Sequence, residues 1–112
     1  MTLGEVAKRL ELKGLVLPDP GRQVRWGFCS DLLSDALAHA GEGDLWLTHQ
    51  RHLNVVAVAK LTGVAGVVCV RGLAPSPEVL SRARAEGVAF LLSRQDTFEL
   101  AGRLFRLLQG EA

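Results

Sequence analysis

The sequence predicts an α/β domain: a mostly parallel central sheet of about four to five strands with helices on both faces. Three observations carry this. Short apolar or β-branched runs alternate with stretches of helical periodicity from Trp26 to Leu108. The run Gly66-Val67-Val68-Cys69-Val70 is continuously apolar, as expected of a central parallel strand covered on both sides. Apolar residues make up 48% of the chain but aromatics only 5%, with no Tyr, so the core is built from Leu, Val and Ala.

The elements follow in order. Thr2 with Glu5 three residues later forms a capping-box pattern, and Leu3, Val6, Ala7 and Leu10 continue it at helical spacing. Gly14 stops this helix. Leu15-Val16-Leu17 is a short strand, and Pro18-Asp19-Pro20-Gly21 is the strongest turn signal in the chain. Val24 to Cys29 reads as a strand. Ser30 or Asp31 caps the next helix, whose buried stripe is Leu32, Leu33, Ala36, Leu37 and Ala40. Gly41 to Asp44 is a loop and Leu45-Trp46-Leu47 a strand. Thr48 to Leu61 reads as the second long helix, with Val55 to Ala59 apolar all round. Gly63 ends it. After the Gly66–Val70 strand, Ser76-Pro77-Glu78 is a helix start: a cap, a Pro in the first turn and an acid beside it. Gly87 closes that helix, Val88 to Leu92 is the last strand, and Asp96 with Glu99 opens a final helix running to Gly110.

With 112 residues this is one domain, divided into an N-terminal helix and turn region (1–23) and an α/β core (24–110). Thirteen Lys and Arg against 12 Asp and Glu leave a net charge of +1, which gives no electrostatic case for nucleic acid or an anionic membrane. Charged residues crowd the first 14 positions, so no secretory signal is read there, and no apolar run approaches a bilayer span. Two cysteines, Cys29 and Cys69, suit a cytoplasmic protein with reduced thiols.

In a parallel sheet the strand ends share one rim. Four polar groups follow the strands: Cys29-Ser30-Asp31, Thr48-His49-Gln50, Arg71-Gly72 and Ser93 to Thr97. Helix starts offer free N–H groups, and Arg71 and Arg94 add guanidinium forks, so an anion bearing phosphate or carboxylate is the natural guest. The candidate ligand-binding residues are Ser30, Asp31, Thr48, His49, Arg71, Gly72, Ser93, Arg94 and Thr97. The competing reading makes the hydroxyls and carboxylates among them helix caps and nothing more. His49 and His52 stand at HxxH spacing but lack a third metal ligand. Cys29 precedes a helix start without an accompanying base and reads, like Cys69, as a buried inert thiol. Asp31 and Asp35 lie one helical turn apart. No phosphate-binding loop, GxGxxG, GxSxG or CxxC is present, and no cofactor, metal or catalytic residue is assigned.

The stretches SDLLSDALAHA, GDLWLTHQRHLNVVAVAKL, GVAGVVCVRGLAPSPEVLSRARAEGV and DTFELAGRLF, spread over Val24 to Leu108, resemble the DRTGG domain. That domain is similar to the N-terminal domain of HPr kinase/phosphorylase and, more distantly, to the N-terminal domains of Mur ligases. The resemblance implies an α/β fold and a regulatory or accessory role, such as these domains play beside CBS pairs, pyrophosphatase domains or phosphotransacetylase. Where the family tends to carry Thr-Gly-Gly, this chain has Val70-Arg71-Gly72. Three functions follow as expectations. The first is a non-catalytic regulatory domain, homodimeric through Val55–Ala59, that binds a small anion or a partner protein. The second is a pure interaction module. The third is a small enzyme using His49 with Asp31 or Asp35. A mean hydropathy of +0.20 adds to the dimer expectation.

Overall fold

The computed structural model describes residues 1–110. Ten elements alternate along the chain: α1 (Leu3–Arg9), β1 (Lys13–Val16), β2 (Trp26–Cys29), α2 (Leu33–His39), β3 (Asp44–Thr48), α3 (Leu53–Thr62), β4 (Gly66–Cys69), α4 (Pro77–Glu86), β5 (Phe90–Leu92) and α5 (Thr97–Leu108). The strands form one sheet in the order β1-β5-β4-β3-β2. β2 through β5 are parallel neighbours, and β1 joins β5 antiparallel, with Lys13 opposite Leu92.

The pleat sorts side chains to two cores. Leu45, Leu47, Val68, Val70 and Leu91 meet α1 and α5 on one face. Trp46, Val67, Cys69 and Phe90 meet α2, α3 and α4 on the other. The fold is therefore the expected α/β sandwich, with β1 as the fifth, antiparallel strand.

Local chemistry explains most element ends. The Thr2–Glu5 capping box is complete at the start of α1, Ser76 Oγ accepts the Val79 N–H at the start of α4, and Asp96 accepts the Glu99 N–H at the start of α5. Gly63 and Gly87 close α3 and α4 in the left-handed conformation. At the far end of β3, the buried Asp44 carboxylate accepts from Arg25 Nη2 at 2.8 Å and from the Gly41 N–H at 2.7 Å, so this acid locks a turn.

Three expectations are corrected. α2 begins at Leu33 with Leu32 as its cap position and no side-chain cap; neither Ser30 nor Asp31 serves there. Its stripe is thinner than the periodicity suggests, since Leu32 and Leu37 face solvent and only Ala36 is fully buried. α3 starts at Leu53, five residues later than expected, with the His52 ring accepting the Asn54 N–H. His49 to Arg51 are irregular instead: Thr48 Oγ1, at the end of β3, accepts the Gln50 N–H, which draws the chain away from helix. Finally, Val55, Val56, Val58 and Ala59 are all buried inside this chain, and α3 lies between α2 and α4. Most of its apolar surface is therefore covered within the domain, and Ala57 and Leu61 are what it leaves exposed. Among the described residues no helix is long and apolar enough to cross a membrane.

Candidate functional site

The parallel register aligns the C-terminal ends of β2, β3, β4 and β5: Cys29 faces Leu47, Thr48 faces Cys69 and Cys69 faces Leu92. The residues that follow gather on one rim, but they form two chemically different halves.

Over β2 and β3 the rim is a closed hydrogen-bond cluster. Asp31 Oδ1 accepts from Thr48 Oγ1 at 3.0 Å and from the His49 N–H at 2.7 Å, and Asp31 Oδ2 lies 3.0 Å from His49 Nδ1. An ionised carboxylate only accepts, so Nδ1 carries a proton and donates it to Asp31. Burial pushes the Asp31 pKa up, but the bonds from the His49 N–H, the His49 ring and the Thr48 hydroxyl outweigh it and hold the carboxyl below its usual range. Ser30 is also occupied: its Oγ accepts the Leu32 N–H, and its carbonyl accepts Trp46 Nε1–H at 2.9 Å. Asp35 pairs with His39 at 3.0 Å rather than with Asp31, and the His49 and His52 rings serve different partners. An anion meets a charged carboxylate here.

Over β4 and β5 the rim is cationic, with the Arg71 and Arg94 side chains exposed. β4 leads into α4 on one face of the sheet, and β5 leads into α5 on the other. The two loops therefore diverge from adjacent strand ends, the arrangement that makes a ligand crevice in open α/β sheets. Two backbone bonds span the notch: Arg71 N–H to the Gln95 carbonyl at 2.9 Å and Gly72 N–H to the Ser93 carbonyl at 2.7 Å. Arg71 and Gly72 both take positive φ, 62° and 69°, in a tight turn closed by Leu73 N–H on the Val70 carbonyl. Gly adopts this conformation freely, whereas Arg pays a steric penalty of about 1 kcal/mol. Ser93 is buried, with Oγ accepting the Gln95 N–H. Arg71 and Arg94 are exposed, and neither guanidinium holds a partner among the described residues.

Two thiols and one hydroxyl depart from the rim. Cys29 is exposed, not buried as expected, and its thiol is pushed up by desolvation and then by the Asp31 carboxylate. Cys69 is buried in the core and raised to about 11 by desolvation, against the opposing charge of Arg51. Thr97 Oγ1 is shut away from solvent with no partner among the described residues, so it faces the interior. Arg51 and Gln95 belong to the same rim; the sequence places Gln95 in the Ser93–Thr97 group but neither residue among the candidate ligand-binding ones. Arg51 lies inside the Thr48–Leu61 run that reads as helix, and Gln95 contributes a backbone carbonyl to Arg71 and its side-chain oxygen to Arg103, neither of which its own neighbourhood reveals.

Comparison with known proteins matches the DRTGG domain model to residues 22–107. No curated protein sequence matches. Among solved structures, the CBS and DRTGG domains of the regulatory region of Clostridium perfringens pyrophosphatase, complexed with its activator diadenosine tetraphosphate, are similar to this chain. The TM-score is 0.72 at 17% identity, over 98% of this chain and 47% of that one. The present chain thus spans about half the length of that structure's chain.

Proposed function

The chain belongs to the DRTGG domain family, and from that premise we propose that it is a non-catalytic regulatory domain that takes a small phosphate-bearing anion in the notch between β4 and β5. One observation carries the reading. At the point where the loops part to opposite faces, a non-glycine residue with an unpartnered guanidinium is held at positive φ. Strain kept at a crevice is a pointer to a ligand. The diadenosine tetraphosphate held by the Clostridium perfringens regulatory region supports a nucleotide as the first ligand to try. The closed Asp31–Thr48–His49 cluster and the raised thiol of Cys29 support the non-catalytic part. Free thiols at Cys29 and Cys69 support a reducing compartment, which we take to be the cytoplasm.

Arg71→Gly tests this cleanly, because it separates stability from binding. Relief of the positive-φ penalty is expected to raise stability by up to about 1 kcal/mol, net of the flexibility Gly adds to the unfolded chain. The same change deletes the cation. In a thermal-shift panel of nucleotides and phosphorylated metabolites, the wild type is expected to respond and Arg71→Gly to melt higher yet not respond. A variant that melts higher and still responds in full would sink the notch as the site.

A second reading, homodimerisation, rests on a different surface from the one expected. Phe98 is 91% exposed, Phe105 52% and Trp26 40%. Phe98 and Phe105 lie two turns apart on one face of α5, and the Trp26 ring meets Phe105 edge-on at 5.5 Å. Trp26 and Phe105, with Gly27 and Leu108, border an apolar groove of about 140 Å³ beside the outer edge of β2, which pairs with no strand among the described residues. Sedimentation is expected to show a dimer that Phe98→Ser with Phe105→Ser converts to monomer. A wild-type monomer at micromolar concentration removes this reading and leaves the ligand reading intact.

A further inference from the structure

The antiparallel attachment of β1 brings its first residue to the same end of the molecule as the C-terminal end of β5. Lys13 sits opposite Leu92. Between them and α5 opens a cavity of about 540 Å³, lined by Glu11, Lys13, Ser93, Arg94, Gln95 and Arg103, with Leu10 and Leu92 as its apolar part. That volume lies within the range of small-molecule sites. Its lining holds three cations and one carboxylate, a formal excess of two positive charges.

The cations are not equivalent. Arg103 is held in place: Nη1 donates to Gln95 Oε1 at 2.8 Å, while Nη2 donates to the Arg9 carbonyl at 3.3 Å and lies 3.5 Å from Glu11 Oε1. A guanidinium has five donors, so several remain for a ligand, and its orientation is already set. Lys13 and Arg94 have no hydrogen-bond or ion-pair partner among the described residues. Glu11 holds φ at 57° and is, with Arg71, one of the two non-glycine residues at positive φ among the described residues. Both flank the β5–α5 loop: Glu11 lines this cavity and Arg71 bonds the Gln95 carbonyl. The loop therefore has the notch on one side and the cavity on the other.

We infer that the cavity between the start of β1 and the end of β5 is the seat of the ligand's phosphate, gripped by Lys13, Arg94 and Arg103, and that the ligand is a phosphomonoester of about two negative charges. This rests on the anion reading above and deepens it: the phosphate sits on the α1–β1 side of the β5–α5 loop and the rest of the ligand reaches the notch, so that Arg71 and the cavity cations hold one molecule. The excess charge matches a phosphomonoester dianion, and two guanidiniums offer the fork geometry that phosphate oxygens accept. The volume exceeds what inorganic phosphate needs, and Leu10 and Leu92 give an organic body something to lie against.

The test is titration with inorganic phosphate and adenosine 5′-monophosphate, with adenosine as the uncharged control, followed by amide chemical shifts. Both phosphate probes are expected to move the amides of Lys13 and of Ser93 to Gln95, and adenosine alone to bind at least about tenfold more weakly than its monophosphate. Lys13 is exposed at a strand start, so Lys13→Glu is expected to keep the fold, checked by circular dichroism, and to weaken the monophosphate at least about tenfold at low salt. Arg94→Gln is expected to act in the same direction. If both variants bind within about twofold of wild type while Arg71→Gly abolishes binding, the cavity is not the seat, and the notch reading survives alone. If neither phosphate probe moves any amide up to about 10 mM, the inference and the anion reading fall together.

Discussion

Trp46→Ala is expected to destabilise the domain by about 3–5 kcal/mol, the largest effect of any single substitution proposed for this chain. Trp46 is fully buried in β3, which has a parallel neighbour on each side. It packs into the cluster that holds Ala36, Val55, Val67 and Val79, so its removal opens a cavity between the sheet and three helices. A domain of this size holds about 5–15 kcal/mol in all, and each kcal/mol is about 4–8 °C of melting temperature. The variant is therefore expected to melt at least about 12 °C lower, with an unchanged dependence on denaturant if the transition stays two-state. Trp46→Phe divides the effect. It keeps most of the ring but leaves the Ser30 carbonyl without the Nε1–H it accepts at 2.9 Å, at a cost of about 1–2 kcal/mol. Urea unfolding followed by far-UV circular dichroism measures both. Equal losses for Ala and Phe would mean that the hydrogen bond, not the volume, is what Trp46 supplies.

The order of elements was legible because each announces itself locally. The Thr2–Glu5 box, Ser76-Pro77 and Asp96 start helices by chemistry that acts within four residues, and Gly63 and Gly87 stop them the same way. The common rim was legible too, since parallel strands can only end together. Its division into two halves was not. Asp31 reads as a cap from its own neighbourhood, and its true partners, Thr48 and His49, lie one strand away. Lys13 and Glu11 were invisible as rim residues for a topological reason. The start of a strand meets the end of its neighbour only when the two run antiparallel, and nothing in Lys13 to Val16 states that β1 will pair with β5 in that sense. Val55 to Ala59 was legible as buried but not as to what buries it. A helix apolar all round signals burial on several sides, and neighbouring helices of the same chain supply those sides as well as a second subunit would.

Asp31→Ala is expected to cost about 1–3 kcal/mol, even though its side chain is 52% exposed. The loss falls on the groups left behind. Thr48 is fully buried, and its hydroxyl loses the acceptor at 3.0 Å; the His49 N–H loses one at 2.7 Å. These bonds tie the loop after β2 to the loop after β3, so their loss loosens the rim where it is closed. The notch at Arg71 is expected to keep its ligand affinity. Asp31→Asn is the milder change, at about 1 kcal/mol, because an amide oxygen still accepts from both donors but carries no charge. The pH dependence has a definite sign. The folded carboxyl is held below its ordinary value, so its contribution is complete above the unfolded value of about 3.9 and disappears as pH falls through the lower folded one. Urea midpoints for wild type and Asp31→Asn are expected to differ by a constant amount from about pH 7 down to about pH 5, and to converge on further acidification. His49→Gln in the same series separates the imidazole's share from that of the carboxylate. If the gap between wild type and Asp31→Asn persists undiminished at the acid end, then shape rather than charge joins the two loops.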